Sequence, residues 1–189
     1  RNFIQTLVLV ERVCGICSHS HSLTYALCIE HIAGMEVPKR GQYIRVIIEE
    51  LERIHSHLLW LGIACHIVGH DSLFMQCWND RGGTMDALEA LTGNRVNYGM
   101  NIIGGARRDF TDDQRRELMA AMDDLEQRMG PITHWLTHDK TLAMRTKGVG
   151  ILTREDAIRL GAVGPHARAS GVDMDVRRDA PYSSYEDFD

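Results

Sequence analysis

Residues 38–69, with the sequence PKRGQYIRVIIEELERIHSHLLWLGIACHIVG, form the stretch that decides the fold. Apolar side chains recur along it at spacings of three and four residues, namely Tyr43, Ile44, Ile47, Ile48, Leu51, Ile54, Leu58, Leu59 and Leu61. This spacing predicts one apolar face on an α-helix, and Pro38 stands where the first turn of that helix begins. An unbroken helix to about Gly69 would be roughly 48 Å long at 1.5 Å per residue. We therefore expect it to be the central element of the fold.

Shorter helices are predicted on both sides of this stretch. Leu23–Ala33 has a helical pattern that ends at Gly34, a residue that readily adopts the left-handed conformation found after helices. On the other side, a helix is predicted over Met85–Leu91, with Gly93 as its stop. Asn101–Gly105 is then predicted to be a glycine-containing turn or loop.

The next segment begins with a capping signal. Thr111 followed three residues later by Gln114 is a capping box, which opens an amphipathic helix to Met129. Gly130 is predicted to end this helix. Pro131–His138 is predicted to start a separate short helix, because proline fits the first turn of a helix better than its interior.

The C-terminal part shows weaker patterns. Thr146–Leu152 is predicted to be a short strand or a loop, and Thr153 with Asp156 caps a last short helix that ends at Gly161. After Gly164 the chain is expected to be irregular. The predicted fold class is mainly α, a helical bundle around one long central helix with a small mixed α/β C-terminal portion. No linker is apparent, so a single domain over residues 1–189 is expected.

Composition excludes several classes of protein. With 44% hydrophobic and 25% charged residues the chain is typical of a globular protein. A net charge of −5 gives no basic footprint, so no nucleic-acid partner is predicted. The longest apolar run, Leu58–Gly69, is interrupted by His66 and is shorter than the roughly 18–20 residues of a membrane span. No direct membrane span is therefore predicted, and membrane association would come through partner subunits.

The cysteines and the chain ends carry two further expectations. The five cysteines are odd in number and do not form a secreted disulfide framework. Three of them are interpreted as buried free thiols in a reducing cytoplasm, namely Cys28, Cys65 and Cys77. The chain starts at Arg1 without an initiator Met or a signal peptide and ends in the acidic, aromatic segment Ser183–Asp189. These ends predict an internal fragment of a larger chain.

Residues 12–21, RVCGICSHSH, contain the candidate site. Two cysteines three positions apart at a helix start can point both sulfurs at one atom, and Gly15 would permit the tight turn that this requires. The partial positive charge of the following helix N-terminus favours thiolates, the form that binds soft transition metals. Cys14 and Cys17 are thus candidate metal ligands.

The spacing of these cysteines leaves several kinds of site open. A structural zinc site needs a second pair of ligands, and His19 and His21 lie too close together to supply it comfortably. A thioredoxin-like redox pair needs a βαβ pattern that the sequence lacks. An iron–sulfur cluster needs four cysteines, and the other three are scattered. Half of a metal site completed by sequence outside this chain and an inert pair also remain open.

Resemblance to a known family separates these alternatives. Arg12–Cys17 followed by His21 resembles the first ligand motif of nickel–iron hydrogenase large subunits. Further segments resemble the branch that includes formate hydrogenlyase, other membrane-bound energy-converting hydrogenases and the 49 kDa subunit of respiratory complex I. They are Val37–Arg45, Glu52–Leu58, Leu91–Gly93, Ile103–Gly105, Arg108–Asp109, Gly164–Pro165, Arg168–Gly171, Asp175, Arg177 and Pro181–Tyr182.

Finer features of the resemblance point to hydrogen chemistry. The segment around His66, Phe74 and Met75 is most similar to the large subunit of formate hydrogenlyase. Complex I subunits resemble this chain but lack the nickel ligands, so the presence of Cys14 and Cys17 favours a hydrogenase.

The resemblance implies a role for each residue of the motif. Cys14 corresponds to a terminal nickel ligand, and Cys17 corresponds to a ligand that bridges nickel and iron. His21 corresponds to a histidine that hydrogen-bonds near the bridging sulfur, with a surface or capping histidine as the alternative. Arg12 is expected to stabilise negative charge on the thiolates, with a plain salt bridge as the alternative.

The resemblance to complex I subunits implies a role for two further residues, whereas two histidine pairs have no role in it. Arg40 and His57 are predicted to face the iron–sulfur cluster of a partner small subunit. The pairs His66–His70 and His134–His138 have the four-residue spacing of a chelating pair on a helix. Without a third ligand in register, both pairs are interpreted as ordinary surface or core histidines.

Departures from the family pattern qualify the resemblance. Gly82 and Gly83 follow Arg81 where relatives usually carry an acidic residue, which puts a charged contact there in doubt. The second Cys-x-x-Cys motif and the N-terminal glutamate motif of the family are absent from this chain. The chain by itself is therefore expected to lack the nickel–iron centre and to be inactive, although two cysteines can take up a divalent metal such as zinc adventitiously.

The resemblance implies reversible oxidation of H2 and reduction of protons in a complex similar to formate hydrogenlyase. Electrons would leave through iron–sulfur clusters in the partner small subunit. The complex would be cytoplasmic and peripheral on the inner face of the cell membrane, held there by membrane subunits. The alternative is a complex I-like quinone reductase or structural scaffold subunit in which the cysteines no longer bind nickel.

Overall fold

A computed structural model of the chain describes residues 2–188, so the two terminal residues on which the fragment expectation partly rests lie outside it. The chain divides into two compact units between Asp139 and Lys140. Sequence patterns showed no linker at this point, and the single domain over residues 1–189 stays a prediction. Each unit is described separately.

The first unit consists of helices and one small hairpin. Its elements are α1 (Phe3–Glu11), α2 (Ser18–Ala33), α3 (Lys39–Ile67), α4 (Asp71–Thr92), β1 (Asn101–Ile102), β2 (Gly105–Ala106) and α5 (Asp112–His138). The predicted mainly α fold around one long central helix is confirmed.

The central helix α3 agrees closely with its prediction. Pro38 is its N-cap, and its last helical residue is two positions before Gly69. The stop predicted for α2 is also confirmed, because Gly34 is the C-cap and has a φ of 62°. Only glycine adopts this left-handed conformation without a steric penalty.

Helices α3, α4 and α5 pack in an up-down-up arrangement. At one end, Ile44 and Ile48 of α3 cluster with Leu88 of α4, and Leu118 of α5 packs against them. At the other end, a second cluster combines Cys65 of α3, Leu73 and Cys77 of α4, and Ile132 of α5. These two clusters place α5 parallel to α3 and antiparallel to α4.

Helix α4 begins at Asp71, about four turns before the predicted start at Met85. The prediction was wrong because Gly82 and Gly83 weaken the helical signal, each by about 1 kcal/mol relative to alanine. Burial of Leu73 and Cys77 against α3 offsets this cost, at about 1.5–3 kcal/mol for a fully buried apolar side chain. Gly93 ends α4 as predicted, with a φ of 86°.

Helix α5 begins where it was predicted to begin and ends later than predicted. Thr111 and Gln114 form the predicted capping box. The helix does not stop at Gly130, and Pro131 lies inside it rather than at the start of a new helix. Pro131 is exposed, whereas its neighbour Ile132 is buried in the second apolar cluster. This packing holds the last two turns in place despite the hydrogen bond that proline removes.

The segment predicted as a turn closes a two-stranded hairpin. Asn101 pairs with Ala106 and Ile102 with Gly105 in antiparallel register. Gly104 has a φ of 91°, which explains the glycine at this position of the turn. The hairpin packs against α3, where a Cβ added at Gly41 would lie 3.4 Å from the Cα of Gly105.

The second unit contains short helices. They are α6 (Lys140–Thr146), α7 (Arg154–Arg159), α8 (Pro165–Ala169), α9 (Val176–Asp179) and a 3-10 helix, Tyr185–Asp187. The Thr153 cap is confirmed, since its side chain accepts a hydrogen bond from the amide of Asp156. Of the short strand or loop predicted over Thr146–Leu152, the structure has the loop, which follows the last residue of α6. Between residues 140 and 188 the structure has no strand, so the mixed α/β character predicted for this portion is corrected to α. The irregular segment expected after Gly164 contains α8 and α9.

The three single cysteines differ in burial. Cys65 and Cys77 are buried free thiols, as predicted. Cys28 is exposed on α2, so its predicted burial was wrong. Across residues 2–188, no helix has both the length and the apolar character that crossing a bilayer requires.

Close contact between α3 and α4 gives a first testable prediction. A Cβ added at Gly62 would lie 2.7 Å from Cδ1 and 2.9 Å from Nε1 of Trp78. We expect Gly62→Ala to lower the free energy of unfolding of the chain by about 1–3 kcal/mol, the usual cost of overpacking. Gly83→Ala is the matched control because nothing lies within 4 Å of its added Cβ. Its helix propensity should stabilise the chain by up to about 1 kcal/mol. Urea unfolding measures both, and equal effects of the two variants would contradict the close packing.

Candidate metal centre

The loop between α1 and α2 carries the two cysteines. Arg12 is the C-cap of α1, and Cys17 is the N-cap of α2. The Cα atoms of Cys14 and Cys17 are 5.5 Å apart, and their sulfurs are joined as a disulfide. The two side chains therefore converge, as the spacing predicted. Reduction of this disulfide would leave two thiols that face the same point, the arrangement that a shared metal ion requires.

Backbone amides of the loop are directed at one of the sulfurs. The Sγ of Cys14 accepts hydrogen bonds from the amides of Ile16, at 3.4 Å, and Cys17, at 3.2 Å. Donors of this kind favour the thiolate over the thiol once the disulfide is reduced. Because thiolates are the ligands that soft transition metals prefer and imidazole also binds nickel, two thiolates beside a histidine form a donor set compatible with a transition metal such as nickel.

His21 lies next to the cysteine pair. One candidate ligand atom from each of Cys14, Cys17 and His21 falls within 4.8 Å of the others, and all three residues are half-buried. No other group of three such side chains with this geometry occurs in the part of the chain that the structure describes. The helix accounts for this placement, since the amide of His21 donates to the carbonyl of Cys17 one turn earlier. The structure thus brings together three of the four predicted motif residues.

Arg12, the fourth motif residue, contacts other groups. Its Nη1 donates to the carbonyl oxygen of Val8 at 2.8 Å and lies 3.5 Å from Oε2 of Glu11. These contacts are the salt-bridge alternative of the sequence analysis. Charge stabilisation of the thiolates by Arg12 stays a prediction.

Gly15 does not have the role that was expected for it. Its φ is outside the left-handed region, and an added Cβ would have only an ordinary contact, 3.8 Å from Val96. The expectation of a turn that only glycine can make was therefore wrong. The loop geometry arises from the ends of α1 and α2 and from the amide–sulfur bonds.

A carboxylate from α3 caps the first turn of α2. Glu52 accepts hydrogen bonds from the amides of His19, at 2.7 Å, and Ser20, at 2.9 Å. These amides would otherwise give the helix N-terminus its partial positive charge. The helix end is thus neutralised in part by Glu52, and the amides closest to sulfur are those of the loop. This changes the predicted origin of thiolate stabilisation.

His19 fixes the other side of this turn. It is fully buried, its Nε2 lies 3.0 Å from the carbonyl oxygen of Arg45, and its Nδ1 lies 3.2 Å from Nδ2 of Asn101. A carbonyl accepts and an amide NH2 donates, so the ring carries its hydrogen on Nε2. Burial is the main reason that the pKa of His19 falls to about 3, which keeps the ring neutral. A neutral ring with two fixed partners holds α2 against α3.

A buried ion pair connects α2, α3 and the hairpin. Arg45 is fully buried and forms a two-pronged contact with Glu30 that includes Nη1 to Oε2 at 2.9 Å. The guanidinium also donates to the carbonyl oxygens of Ile102 and Gly105. Glu30 accepts from the amide of Gly104 at 2.7 Å. Each charge is therefore satisfied, which a buried charge requires.

Helix α3 has a buried polar face for which no role was predicted. Four buried residues, Arg45, Glu49, Glu52 and His55, recur at spacings of four, three and three along an otherwise apolar helix face. Polar residues at helical spacing inside an apolar stretch are a signal that the sequence does contain. Their partners lie on other elements and are distant in sequence, so their function was not evident.

Arg40 and His57 lie away from each other on α3. Arg40 forms an exposed ion pair with Asp109, with Nε to Oδ1 at 2.8 Å, and His57 is exposed. Along α3 they are about 26 Å apart at 1.5 Å per residue. One small cofactor cannot contact both, and the predicted cluster-facing role of each stays a prediction.

The two histidine pairs have local contacts. Nδ1 of His66 lies 2.7 Å from Oδ1 of Asp71, and the ring of His70 packs on Trp135. The rings of His134 and His138 stack with centroids 4.3 Å apart. These contacts agree with the interpretation of both pairs as ordinary histidines.

Comparison with known protein families shows the class of protein to which this chain belongs. A family model described as "Respiratory-chain NADH dehydrogenase, 49 Kd subunit" matches residues 68–189, and one described as "Nickel-dependent hydrogenase" matches residues 1–63. The chain therefore belongs to the family of the 49 kDa subunit of respiratory-chain NADH dehydrogenase. Cys14, Cys17 and His21 lie in the segment that is similar to nickel-dependent hydrogenases.

Individual relatives are subunits of a hydrogenase and of formate hydrogenlyase. The chain is 46% identical over 188 residues to the membrane-bound hydrogenase subunit alpha of Pyrococcus furiosus, covering 100% of this chain and 44% of that protein. It is 42% identical over 177 residues to formate hydrogenlyase subunit 5 of Escherichia coli, covering 94% and 31%. The predicted resemblance to hydrogenases of this branch is confirmed.

A solved structure shares the whole fold. It is a chain of the membrane-bound sulfane sulfur reductase, an archaeal respiratory membrane complex, with a TM-score of 0.94 and 29% identity. The match covers 100% of this chain and 51% of that chain. The chain thus spans about half the length, or less, of these relatives.

Proposed function

We propose that this chain is part of a nickel–iron hydrogenase large subunit and supplies two of the thiolates that hold its metal centre. The reaction would be reversible oxidation of H2 and reduction of protons, in a membrane-associated complex similar to formate hydrogenlyase. One observation carries this proposal. The sulfurs of Cys14 and Cys17 converge, with His21 beside them, in the segment that matches nickel-dependent hydrogenases.

Each residue of the motif has a role in this proposal. Cys14 would hold nickel as a terminal ligand, and its two amide donors would tune its basicity. Cys17 would bridge nickel and iron, and His21 would hydrogen-bond near its sulfur. The bound centre supplies the hydrogen chemistry, while the chain supplies ligand geometry and exclusion of water. Glu52 supports that geometry because it anchors the turn that follows Cys17.

Partners complete the proposed assembly. An iron–sulfur small subunit would accept the electrons, and membrane subunits would hold the complex on the cytoplasmic, inner face of the cell membrane. Arg40 and His57 are exposed on α3, and the proposal places both at the surface that faces the small subunit. A membrane-bound hydrogenase and an archaeal respiratory membrane complex are among the proteins similar to this chain, which supports a membrane-associated complex.

A second candidate is a complex I-like quinone reductase or a scaffold subunit. The match of residues 68–189 to the NADH dehydrogenase 49 kDa family favours it. The complete reading frame discriminates between the candidates, because only a hydrogenase needs a second Cys-x-x-Cys.

Metal analysis tests the proposal. The complete protein, purified with its partners under anaerobic conditions, is expected to contain nickel and iron in stoichiometric amounts. The 189-residue chain alone is expected to contain no stable nickel–iron centre, because half of the thiolates are missing. Absence of nickel from the complete, active complex would favour the second candidate, and a stoichiometric centre in the chain alone would contradict the need for a second thiolate pair.

A further inference from the structure

One hydroxyl group of α2, close in sequence to the candidate metal ligands, contacts two carboxyl groups of α3. Glu49 and Glu52 are both buried and lie one turn apart. The Oγ of Ser20, in the first turn of α2, is 2.9 Å from Oε1 of Glu49 and 3.0 Å from Oε1 of Glu52. Both contacts have the length of a hydrogen bond.

The number of hydrogens at this hydroxyl decides the protonation of the pair. A serine hydroxyl carries one hydrogen, and an ionised carboxylate carries none. Ser20 can therefore donate to only one of the two carboxyl groups. The other short contact needs a hydrogen on the carboxyl itself, which donates to the Oγ of Ser20. One proton shared by Glu49 and Glu52 satisfies both short contacts at once.

The surroundings place this proton on Glu49. Glu52 accepts hydrogen bonds from two backbone amides, those of His19 and Ser20, which stabilise its ionised form. Oε2 of Glu49 is buried and has no hydrogen-bond partner among residues 2–188. A carboxyl oxygen without a donor favours the neutral acid, because a buried charge needs hydrogen bonds to be stable.

Electrostatics agree with this assignment. Burial is the largest cause that raises the pKa of Glu49 to about 6, and the hydrogen bond with Ser20 opposes it. The charges that face Glu49 are those of Glu52, Arg53 and Glu50, of which only Arg53 lowers the pKa. Burial also raises the pKa of Glu52, against the opposing hydrogen bonds of its amide and hydroxyl donors. The pair therefore holds a proton below about pH 6 and releases it as the pH rises through that value.

We propose that Glu49, Ser20 and Glu52 form a buried proton-sharing unit that serves the metal site, with Glu49 as the residue that holds the proton. When Glu49 donates to the Oγ of Ser20, Ser20 donates its own hydrogen to Oε1 of Glu52. One proton moves from Glu49 to Glu52, and the serine hydroxyl is restored. The service to hydrogen chemistry rests on the proposed function, since proton reduction consumes protons that must reach a buried centre, and the reverse transfer, from Glu52 through Ser20 to Glu49, would carry away the protons that H2 oxidation releases. Glu52 contacts the turn that follows Cys17, so the unit begins next to the ligand loop.

Infrared spectroscopy of the complete protein tests the shared proton directly. We expect a carboxylic-acid C=O band that shifts in D2O and is lost with a midpoint near pH 6 as the pH rises. Labelling with 13C-glutamate assigns it in the unsubstituted protein, so the result does not depend on a variant that folds. The band should be absent in Glu49→Gln and retained in Glu50→Gln, the neighbouring acid on the same helix. No such band in the original protein, or its retention in Glu49→Gln, would overturn the shared proton.

Isotope exchange between H2 and D2O tests the service to the metal site. In the assembled complex, Glu49→Gln and Ser20→Ala should each slow exchange by more than about tenfold, at the low end of what positioned proton-transfer groups contribute. Their nickel content should equal that of the original complex, and the limb of the pH profile near pH 6 should vanish. Glu50→Gln should keep the nickel content, the exchange rate within about twofold and the limb of the pH profile, which should move to a lower pH because the charge of Glu50 raises the pKa of Glu49. An unchanged pH profile in both variants with full nickel would overturn the relay. A complex without nickel would refute the proposed function, while the infrared band would still decide whether the proton is shared.

Discussion

Cys17→Ser in the complete protein is expected to remove nickel and abolish hydrogen turnover. The serine hydroxyl is a hard and weakly acidic ligand, whereas nickel prefers soft thiolates. Loss of residues behind metal ligands typically costs 10–100-fold in affinity or activity. On the proposed function, loss of the ligand itself should lower H2 oxidation by more than about 100-fold and bring the nickel content to background. Nickel analysis and H2-dependent dye reduction on the same preparation measure the two effects.

Cys28→Ser provides the matched control for this substitution. Cys28 lies on the same helix, α2, but is exposed and has no disulfide partner. Surface substitutions usually change stability by less than about 0.5 kcal/mol, so activity and nickel content should stay within about twofold of the original. Retention of stoichiometric nickel in Cys17→Ser would show that Cys17 is not a ligand.

Glu30→Gln is expected to cause the largest loss of stability in the chain. It leaves the fully buried guanidinium of Arg45 without its counter-charge. Removing one partner of a buried ion pair typically costs about 3–5 kcal/mol. Glu30 also accepts from the amide of Gly104, so the hairpin should loosen from α2. Urea unfolding followed by circular dichroism measures the free energy of unfolding of the chain.

Asp109→Asn is the control for the burial of this ion pair. Nε of Arg40 donates to both carboxylate oxygens of Asp109 on the surface, where water solvates both charges after the pair is broken. Its free energy of unfolding should stay close to that of the original chain. Similar losses in Glu30→Gln and Asp109→Asn would contradict the importance of burial for the Arg45–Glu30 pair.

Local signals predicted most of the helical framework. The apolar spacing over residues 38–69 predicted α3, and Gly34 and Gly93 marked helix ends because they adopt positive φ. The failures have the same physical origin. In α4 and α5, glycine and proline lie inside helices that are held by burial of Leu73 and Ile132 against neighbouring helices. Local propensity cannot report such contacts, because they depend on elements that are distant in sequence.

The candidate site was predictable to a similar degree. The Cys-x-x-Cys spacing indicated two convergent sulfurs, and the structure has them in contact. The roles of Glu52 and Glu49 were not predictable, because their partner Ser20 is far from them in the chain and is reached only when α2 packs on α3. The expected role of Gly15 failed because a turn between two helix ends does not need a positive φ.

The oxidation state of the cysteine pair connects the two candidate functions. A disulfide and a metal-bound dithiolate both need two sulfurs directed at one point, so the observed convergence is compatible with each of them. They differ in chemistry, since a disulfide resists alkylation until it is reduced, whereas thiolates become reactive as soon as their metal is removed.

Alkylation followed by mass spectrometry tests the thiolate site most directly. The complete protein is treated with iodoacetamide under anaerobic conditions without reductant, before and after removal of metal by a chelator in denaturant. We predict that Cys14 and Cys17 are unmodified in the metal-loaded protein and fully alkylated once the metal is gone, while the exposed Cys28 is alkylated in both samples. A Cys14–Cys17 disulfide that persists in both samples and yields to alkylation only after reduction would contradict the metal centre.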